Sequence, residues 1–223
     1  IIEEKDATEQ QKEIKEIFTG ILATSGSILM ELIPKIDNNN SAQEFYLTDL
    51  IGIASDNGFK INTLTSAQNE TMGANSRIEQ EELERTLRAI NTDELLNSGV
   101  SLVDKTRVDI RGDIKAGSDC VIDVNVILEG SVELGNNVEI GANTILTNAT
   151  IGDNTKILPF SHIESSNIGA DCSIGPYARL REGSIVEDGA KIGNFVETKK
   201  TKIGKSSKAC LLYTSDAADE SRG

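Results

Sequence analysis

From Val108 onward, pairs of apolar residues separated by one spacer recur every six positions, and this period constrains the fold more than any other feature of the chain. The pairs Val108/Ile110, Ile114/Ala116, Cys120/Ile122, Val126/Leu128, Val132/Leu134 and Val138/Ile140 follow one another without a gap. Alternation over three residues is the period of a strand, and stretches such as Gly117-Ser118-Asp119 and Gly135-Asn136-Asn137 carry turn chemistry. A six-residue step is too short for a hairpin and does not fit a helix. It matches one side of a three-sided coil, so the spacing predicts a parallel β-helix of hexapeptide repeats over 100–209. A meander of antiparallel strands would place its turn signals further apart.

The register slips at intervals. Leu134, Ile151 and Ile168 lie 17 residues apart, as do Val186 and Ile203, where three full hexads give 18. The expectation is one corner per coil shortened by a residue. Seven Ile-Gly or Leu-Gly dipeptides, ending at Gly135, Gly141, Gly152, Gly169, Gly175, Gly193 and Gly204, are expected at corners that need positive φ.

Composition narrows the function. A net charge of −14 over 223 residues argues against nucleic acid or an anionic membrane surface as partner, since both demand clustered cations. No apolar run approaches a bilayer span and no signal peptide opens the chain, so a soluble cytoplasmic protein is expected. Cys120 and Cys172 fall on inward positions of the repeat and read as reduced core thiols, with Cys210 left over.

Upstream of the repeat, residues 1–75 read as mixed α and β. Apolar residues between Glu13 and Ala23 look strand-like, as does Phe59 to Leu64. Ser27 to Ile36 and Thr48 to Ala54 have helical spacing, ended by Asn38-Asn39-Asn40 and Asn57-Gly58. Residues 76–99 form the joint: Ser76 with Glu79 matches a capping box, Leu83, Leu87 and Ile90 make one stripe, and Asn91 with Glu94 suggests a second short helix before Gly99. Ile1-Ile2-Glu3-Glu4 reads as the middle of a strand, and after Ala209 the period stops. Both ends point to a fragment, with 210–223 unrelated to the fold.

Five ordered segments carry a resemblance. They are Ile2 to Thr8, Asn38 to Asp49, Gly73 to Arg77, Ile174-Gly175-Pro176-Tyr177-Ala178-Arg179-Leu180-Arg181, and Gly193-Asn194-Phe195-Val196-Glu197-Thr198-Lys199-Lys200. In this order they resemble the bacterial bifunctional N-acetylglucosamine-1-phosphate uridyltransferase and glucosamine-1-phosphate acetyltransferase, collinear from residue 1 to about 209. The resemblance implies the last third of an α/β nucleotidyltransferase domain (1–75), a helical linker (76–99) and an incomplete left-handed β-helix acetyltransferase domain (100–209) that assembles as a homotrimer. It also implies Mg²⁺ as cofactor, acetyl-CoA as co-substrate, and UTP, glucosamine-1-phosphate and UDP-N-acetylglucosamine as ligands, in the supply of peptidoglycan and lipopolysaccharide precursors.

Site residues carry over one by one. Glu3 matches a sugar-nucleotide contact, a role that suits a carboxylate accepting from sugar hydroxyls; in Glu3-Glu4-Lys5 it is otherwise an ordinary solvated charge. Asn75 matches a magnesium and nucleotide ligand, although Asn75-Ser76 also reads as a helix start. Phe18 departs from the family, which places Asn there, and a phenyl ring cannot replace an amide. Arg181 and Lys199 match the cations that hold the sugar phosphate, a planar fork and a point charge; outward charges on a coil are more commonly just solvated, the role expected of Arg179 and Lys200. Leu211 stands where the family has its catalytic His, and leucine accepts no proton. His162, the one histidine, is expected at the surface or a coil edge, and a single imidazole excludes a multi-histidine zinc centre.

Three readings follow. The first is a fragment of the bifunctional enzyme that itself catalyses neither step. The second is a sugar-phosphate nucleotidyltransferase whose β-helix is regulatory, which would need no paired phosphate site. The third is a trimeric scaffold, for which outward apolar residues such as Ile127 and Ile145 offer a surface.

Overall fold

The computed structural model describes residues 1–2 and 4–210, in two compact units: Ile1–Ser76, and the part from Arg77 onward. The second unit is a left-handed parallel β-helix preceded by one helix. Its first face is a seven-stranded sheet of short strands: Ser101–Leu102, Val121–Ile122, Glu139–Ile140, Lys156–Ile157, Ser173–Ile174, Lys191–Ile192 and Lys208–Ala209. The other two faces are joined at their start by the long strands Val108–Ala116 and Val126–Leu134, which turn the corner at Gly112 and Gly130. Every strand pairs in parallel with the coil above or below, which excludes the antiparallel meander.

The expected apolar pairs point inward. Cys120, Ile122, Val126, Leu128, Val132, Val138, Leu146, Ile163, Ile174 and Leu180 are all buried in one continuous cluster. Each fully buried Leu or Ile contributes about 1.5–3 kcal/mol relative to an exposed one. Further along the coil, Thr144, Thr155, Ser161, Ser166, Ser184 and Thr198 replace aliphatics on inward positions. The hydroxyls of Thr144 and Ser161 are buried without a partner among the described residues, whereas those of Thr155, Ser166 and Ser184 hold backbone of the same or a neighbouring coil, Thr155 Oγ1 donating to the Gly169 carbonyl at 2.8 Å. Such a bond satisfies a polar group that would otherwise destabilise the core.

The corners depart from expectation in two ways. Coils do not all shorten: Val108 pairs with Val126 and Asn167 with Ile185 at a spacing of 18, whereas Glu133 pairs with Thr150 and Ile185 with Lys202 at 17. Six-residue corners between the second and third faces carry Gly112, Gly130 and Gly183, and five-residue corners carry Asn148, Ser165 and Lys200 at φ of 49°, 44° and 47°. Second, of the seven glycines after Ile or Leu only Gly175 has positive φ, 95°. At the other corners the left-handed position falls on a later residue, such as Asn137, Asn143, Asn154 or Asp171, at φ of 55–59°. Asn and Asp tolerate that conformation better than other side chains with a Cβ. The glycines serve close approach instead: a Cβ on Gly152 would lie 2.5 Å from the Gly169 carbonyl carbon and 2.6 Å from the Ala170 nitrogen.

Left-handed corners between the first and second faces change character along the coil. Asn125 donates to Asn143 (3.0 Å), and the next three positions are Phe160, Tyr177 and Phe195. Their rings stack at centroid separations of 4.9 and 5.4 Å. Stacking of this kind adds stability beyond area burial and offsets the strain of a bulky residue at positive φ.

Ahead of the coil runs the helix Arg77–Asn97, unbroken over 21 residues. The second helix expected from Asn91 and Glu94 is therefore absent as a separate element. Thr92 and Leu95 are buried, Leu95 within the coil's own cluster, so packing overrides the local start signal. Arg88 Nε donates to Asp109 at 3.2 Å and Lys105 meets Asp93 at 2.6 Å, fixing the helix to the first coil. Gly99, at φ 97°, ends it as expected.

In the first unit, helices Gly26–Leu32 and Asp49–Asp56 form a small core from Leu32, Leu50 and Ala54, with Ile28, Ile36 and Phe59 against it. Ser25 caps the first by accepting from the Ile28 N–H. The strands expected over Glu13 to Ala23 and Phe59 to Leu64 do not form. A strand needs a neighbour for its N–H and C=O groups, and neither segment pairs with another; Ile14, Ile17, Ile21 and Leu64 stand exposed.

Candidate functional site

Outward positions of the second face stack in columns, because every coil repeats the same register. His162, Arg179 and Glu197 are direct partners on neighbouring strands. Two residues further along the chain stand Glu164, at the end of its strand, and Arg181 and Lys199, each just past the end of theirs. Arg181 and Lys199 are 18 positions apart, one full coil, and the Arg181 N–H donates to the Thr198 carbonyl at 2.9 Å. The two expected phosphate ligands therefore occupy adjacent rungs, about 4.8 Å apart in the sheet.

Buried hydroxyls hold this corner from beneath. Ser184 Oγ donates to the Arg181 carbonyl at 2.7 Å and lies 2.9 Å from Thr198 Oγ1, while Ser166 Oγ lies 2.7 Å from the Glu164 carbonyl and 3.1 Å from that of Arg181. From the exposed side, Thr201 Oγ1 donates to the Lys199 carbonyl at 2.8 Å. Sequence reasoning passed over Ser166, Ser184 and Thr198; the signal was there, in hydroxyl residues replacing aliphatics on inward positions beside one corner.

The charges around the pair are unequal in their partners. Arg181 Nη1 meets Glu197 Oε1 at 3.1 Å, and Arg179 Nη1 lies 4.0 Å from the same oxygen. Arg179, expected to be simply solvated, thus shares a carboxylate with the site. Lys199 and Lys200 are exposed and form no ion pair among the described residues. His162 is half-buried on the same face, the register partner of Arg179 one strand away. Ile127 and Ile145 are also half-buried, so they offer less apolar surface than their outward register suggests.

Asn75 belongs to the first unit and is exposed. Glu3 and Leu211 lie outside the described residues. Phe18 lies in the irregular stretch before the first helix. For Mg²⁺ the residues present do not fit: among the described residues no three His, Cys, Asp or Glu gather, and magnesium takes carboxylate and phosphate oxygens rather than one amide alone. Cys120 and Cys172 are buried, and burial pushes both thiols up from their ordinary pKa, which leaves them inert rather than nucleophilic. No helix among the described residues is long and apolar enough to cross a membrane.

Together the period, the parallel ladders and the filled interior define a hexapeptide-repeat protein of the left-handed β-helix class. Within that class, residues 105–209 match the GMPPB C-terminal domain family. Solved structures are similar in part. The acetyltransferase domain of PglB from Neisseria gonorrhoeae FA1090, in complex with acetyl coenzyme A, is 16% identical, with 56% of this chain and 62% of that one covered and a TM-score of 0.46. A mutant of GDP-perosamine N-acetyl transferase from Caulobacter crescentus, in complex with CoA and GDP-perosamine, is 16% identical, with 56% and 60% covered and a TM-score of 0.37. The chain thus spans roughly three-fifths of the length of these structures.

Proposed function

We propose that this chain is part of a bifunctional enzyme of UDP-N-acetylglucosamine biosynthesis, and that its coil binds the phosphate of glucosamine-1-phosphate through Arg181 and Lys199. The supporting observation is the placement of these two cations on adjacent rungs of one face, with the Arg181 carbonyl held by the buried Ser184 hydroxyl. In this reading acetyl-CoA acylates the amine of the sugar phosphate, and the product is then coupled to UTP with release of pyrophosphate. Arg181 would grip phosphate as a planar fork, and Lys199 would add a mobile point charge. Glu3 and Asn75 would serve the uridylyl-transfer half, whose metal site requires residues beyond those described. The chain itself catalyses neither step, since Leu211 supplies no base for acetyl transfer and Phe18 stands where the uridylyl-transfer half uses an amide. Assembly as a trimer in the cytoplasm belongs to the same proposal.

The second reading, a nucleotidyltransferase with a regulatory β-helix, draws support from the match of residues 105–209 to a domain defined by its C-terminal place in another protein. Calorimetric titration with glucosamine-1-phosphate separates the two. Binding that weakens about 10- to 100-fold in Arg181→Gln or Lys199→Gln, the range expected for losing one charge-assisted hydrogen bond, supports the phosphate site. Binding unchanged in both variants, or absent from the parent protein, refutes it, and acetylation by the purified chain would overturn its assigned inactivity.

A further inference from the structure

The anion site carries its own anion. Glu197 stands in the column beside Arg181 and Lys199, and its Oε1 is within 3.1 Å of Arg181 Nη1 and 4.0 Å of Arg179 Nη1. Both side chains of the closer pair remain solvent-accessible, Arg181 at 39% and Glu197 at 52%, so neither is sealed in place. The backbone beneath them is fixed: Arg179 and Glu197 are register partners, and the Arg181 carbonyl is held by Ser184. The backbone thus keeps the cations and the carboxylate side by side, while the Glu197 side chain is free to turn away from Arg181.

From this we infer that Glu197 is an internal counter-ion which a bound phosphate must displace from Arg181, and that it sets which anions the site admits. The inference rests on the phosphate-site reading above. A carboxylate tethered one rung away acts at high effective concentration, so a free carboxylate gains nothing by replacing it. A phosphomonoester dianion brings more charge and more acceptor oxygens, and draws on Arg181, Arg179 and Lys199 together. The site is thereby selective for phosphates over the carboxylates that share its charge sign, such as sugar acids. Because the pair is solvent-exposed, its strength is modest, and its removal is worth about two- to fivefold in anion affinity.

The test uses inorganic phosphate and acetate as probes, followed through the Arg181 side-chain Nε–H resonance in the full chain. In the parent protein, phosphate shifts that resonance and acetate at equal concentration leaves it in place. In Glu197→Gln, phosphate binds about two- to fivefold more tightly and acetate now shifts Arg181 as well. Phosphate affinity that is unchanged or lower in Glu197→Gln overturns the inference while the phosphate site stands. Phosphate that moves Arg181 in neither protein overturns both. Arg179→Gln, which keeps the Arg181–Glu197 pair, should retain the exclusion of acetate; its loss there would assign the selectivity to net charge and overturn the counter-ion role.

Discussion

Replacing Gly152 by Ala tests why glycine follows the aliphatic residue at the coil corners. Gly152 does not adopt positive φ, so an alanine backbone is acceptable there by conformation alone. Space decides instead. The new Cβ would sit 2.5 Å from the Gly169 carbonyl carbon and 2.6 Å from the Ala170 nitrogen, and both obstacles are backbone of the next coil. That backbone is held in turn, since the Gly169 N–H donates to the Val186 carbonyl at 2.8 Å and the Ala170 N–H to Asp188 at 3.0 Å. The coils must part locally, with a destabilisation of about 1–3 kcal/mol, as for overpacked interiors. For a unit of this size that lowers the thermal midpoint by about 2–12 °C, readable by far-ultraviolet circular dichroism. Gly152→Asn should be at least as harmful as Gly152→Ala, because its side chain meets the same backbone. A left-handed requirement at this position would make Asn the gentler change. Gly152→Asn milder than Gly152→Ala, or an alanine variant within 0.3 kcal/mol of the parent (roughly the error of such comparisons), refutes the close-approach account.

Other expectations concern the corners, the thiols and the charges. Tyr177→Ala removes the middle ring of the aromatic stack and should destabilise the coil by about 1–3 kcal/mol in urea unfolding, two ring contacts being lost; Tyr177→Asn, which continues the asparagine run at φ 56°, should be milder. Cys210, which is exposed, should react with a thiol reagent at pH 8 well before Cys120 and Cys172, which wait for the coil to open. Because burial raises the pKa of those two thiols in the folded state, the neutral form is favoured there; stability should be intact below the unfolded thiol pKa and fall as pH rises through the higher folded one. Glu187 behaves oppositely: its hydrogen bond from Lys202, then one from the Lys205 N–H, hold its carboxyl below the ordinary value, so its contribution is present at neutral pH and disappears as pH falls through the lowered pKa. Lys202→Met should flatten that part of the pH–stability curve.

The coil was legible because its rule is local. Once inward positions repeat by six, the adjacency of Arg181 and Lys199 follows from their separation of one coil, without any knowledge of side-chain packing. The corners were less legible, since Gly152 and Gly175 share an Ile-Gly context yet differ in φ; what distinguishes them is the neighbouring coil, which sequence spacing does not report. The joint at Asn91 misled because a capping signal weighs about 1 kcal/mol, less than the burial of Leu95. The pairing of Glu197 with Arg181 rather than Lys199 was not accessible at all: all three charges are outward, and which two meet depends on rotamers. Residues 13–23 and 59–64 alternate well enough for strands, but alternation specifies a face and not a partner.

The corner lengths have a consequence for how such a chain can change. Each two-residue strand regains its inside-outside parity at the turn that precedes it, so a residue gained or lost at Gly130, Asn148, Ser165, Gly183 or Lys200 is absorbed on the spot. A flat sheet of long strands has no such reset, and one deletion would turn the rest of a strand inside out. This solenoid behaves instead like a spiral stair whose treads differ slightly in depth while the rail stays continuous. Length variation between relatives should accumulate at these landings, leaving the columns of outward side chains aligned from one storey to the next.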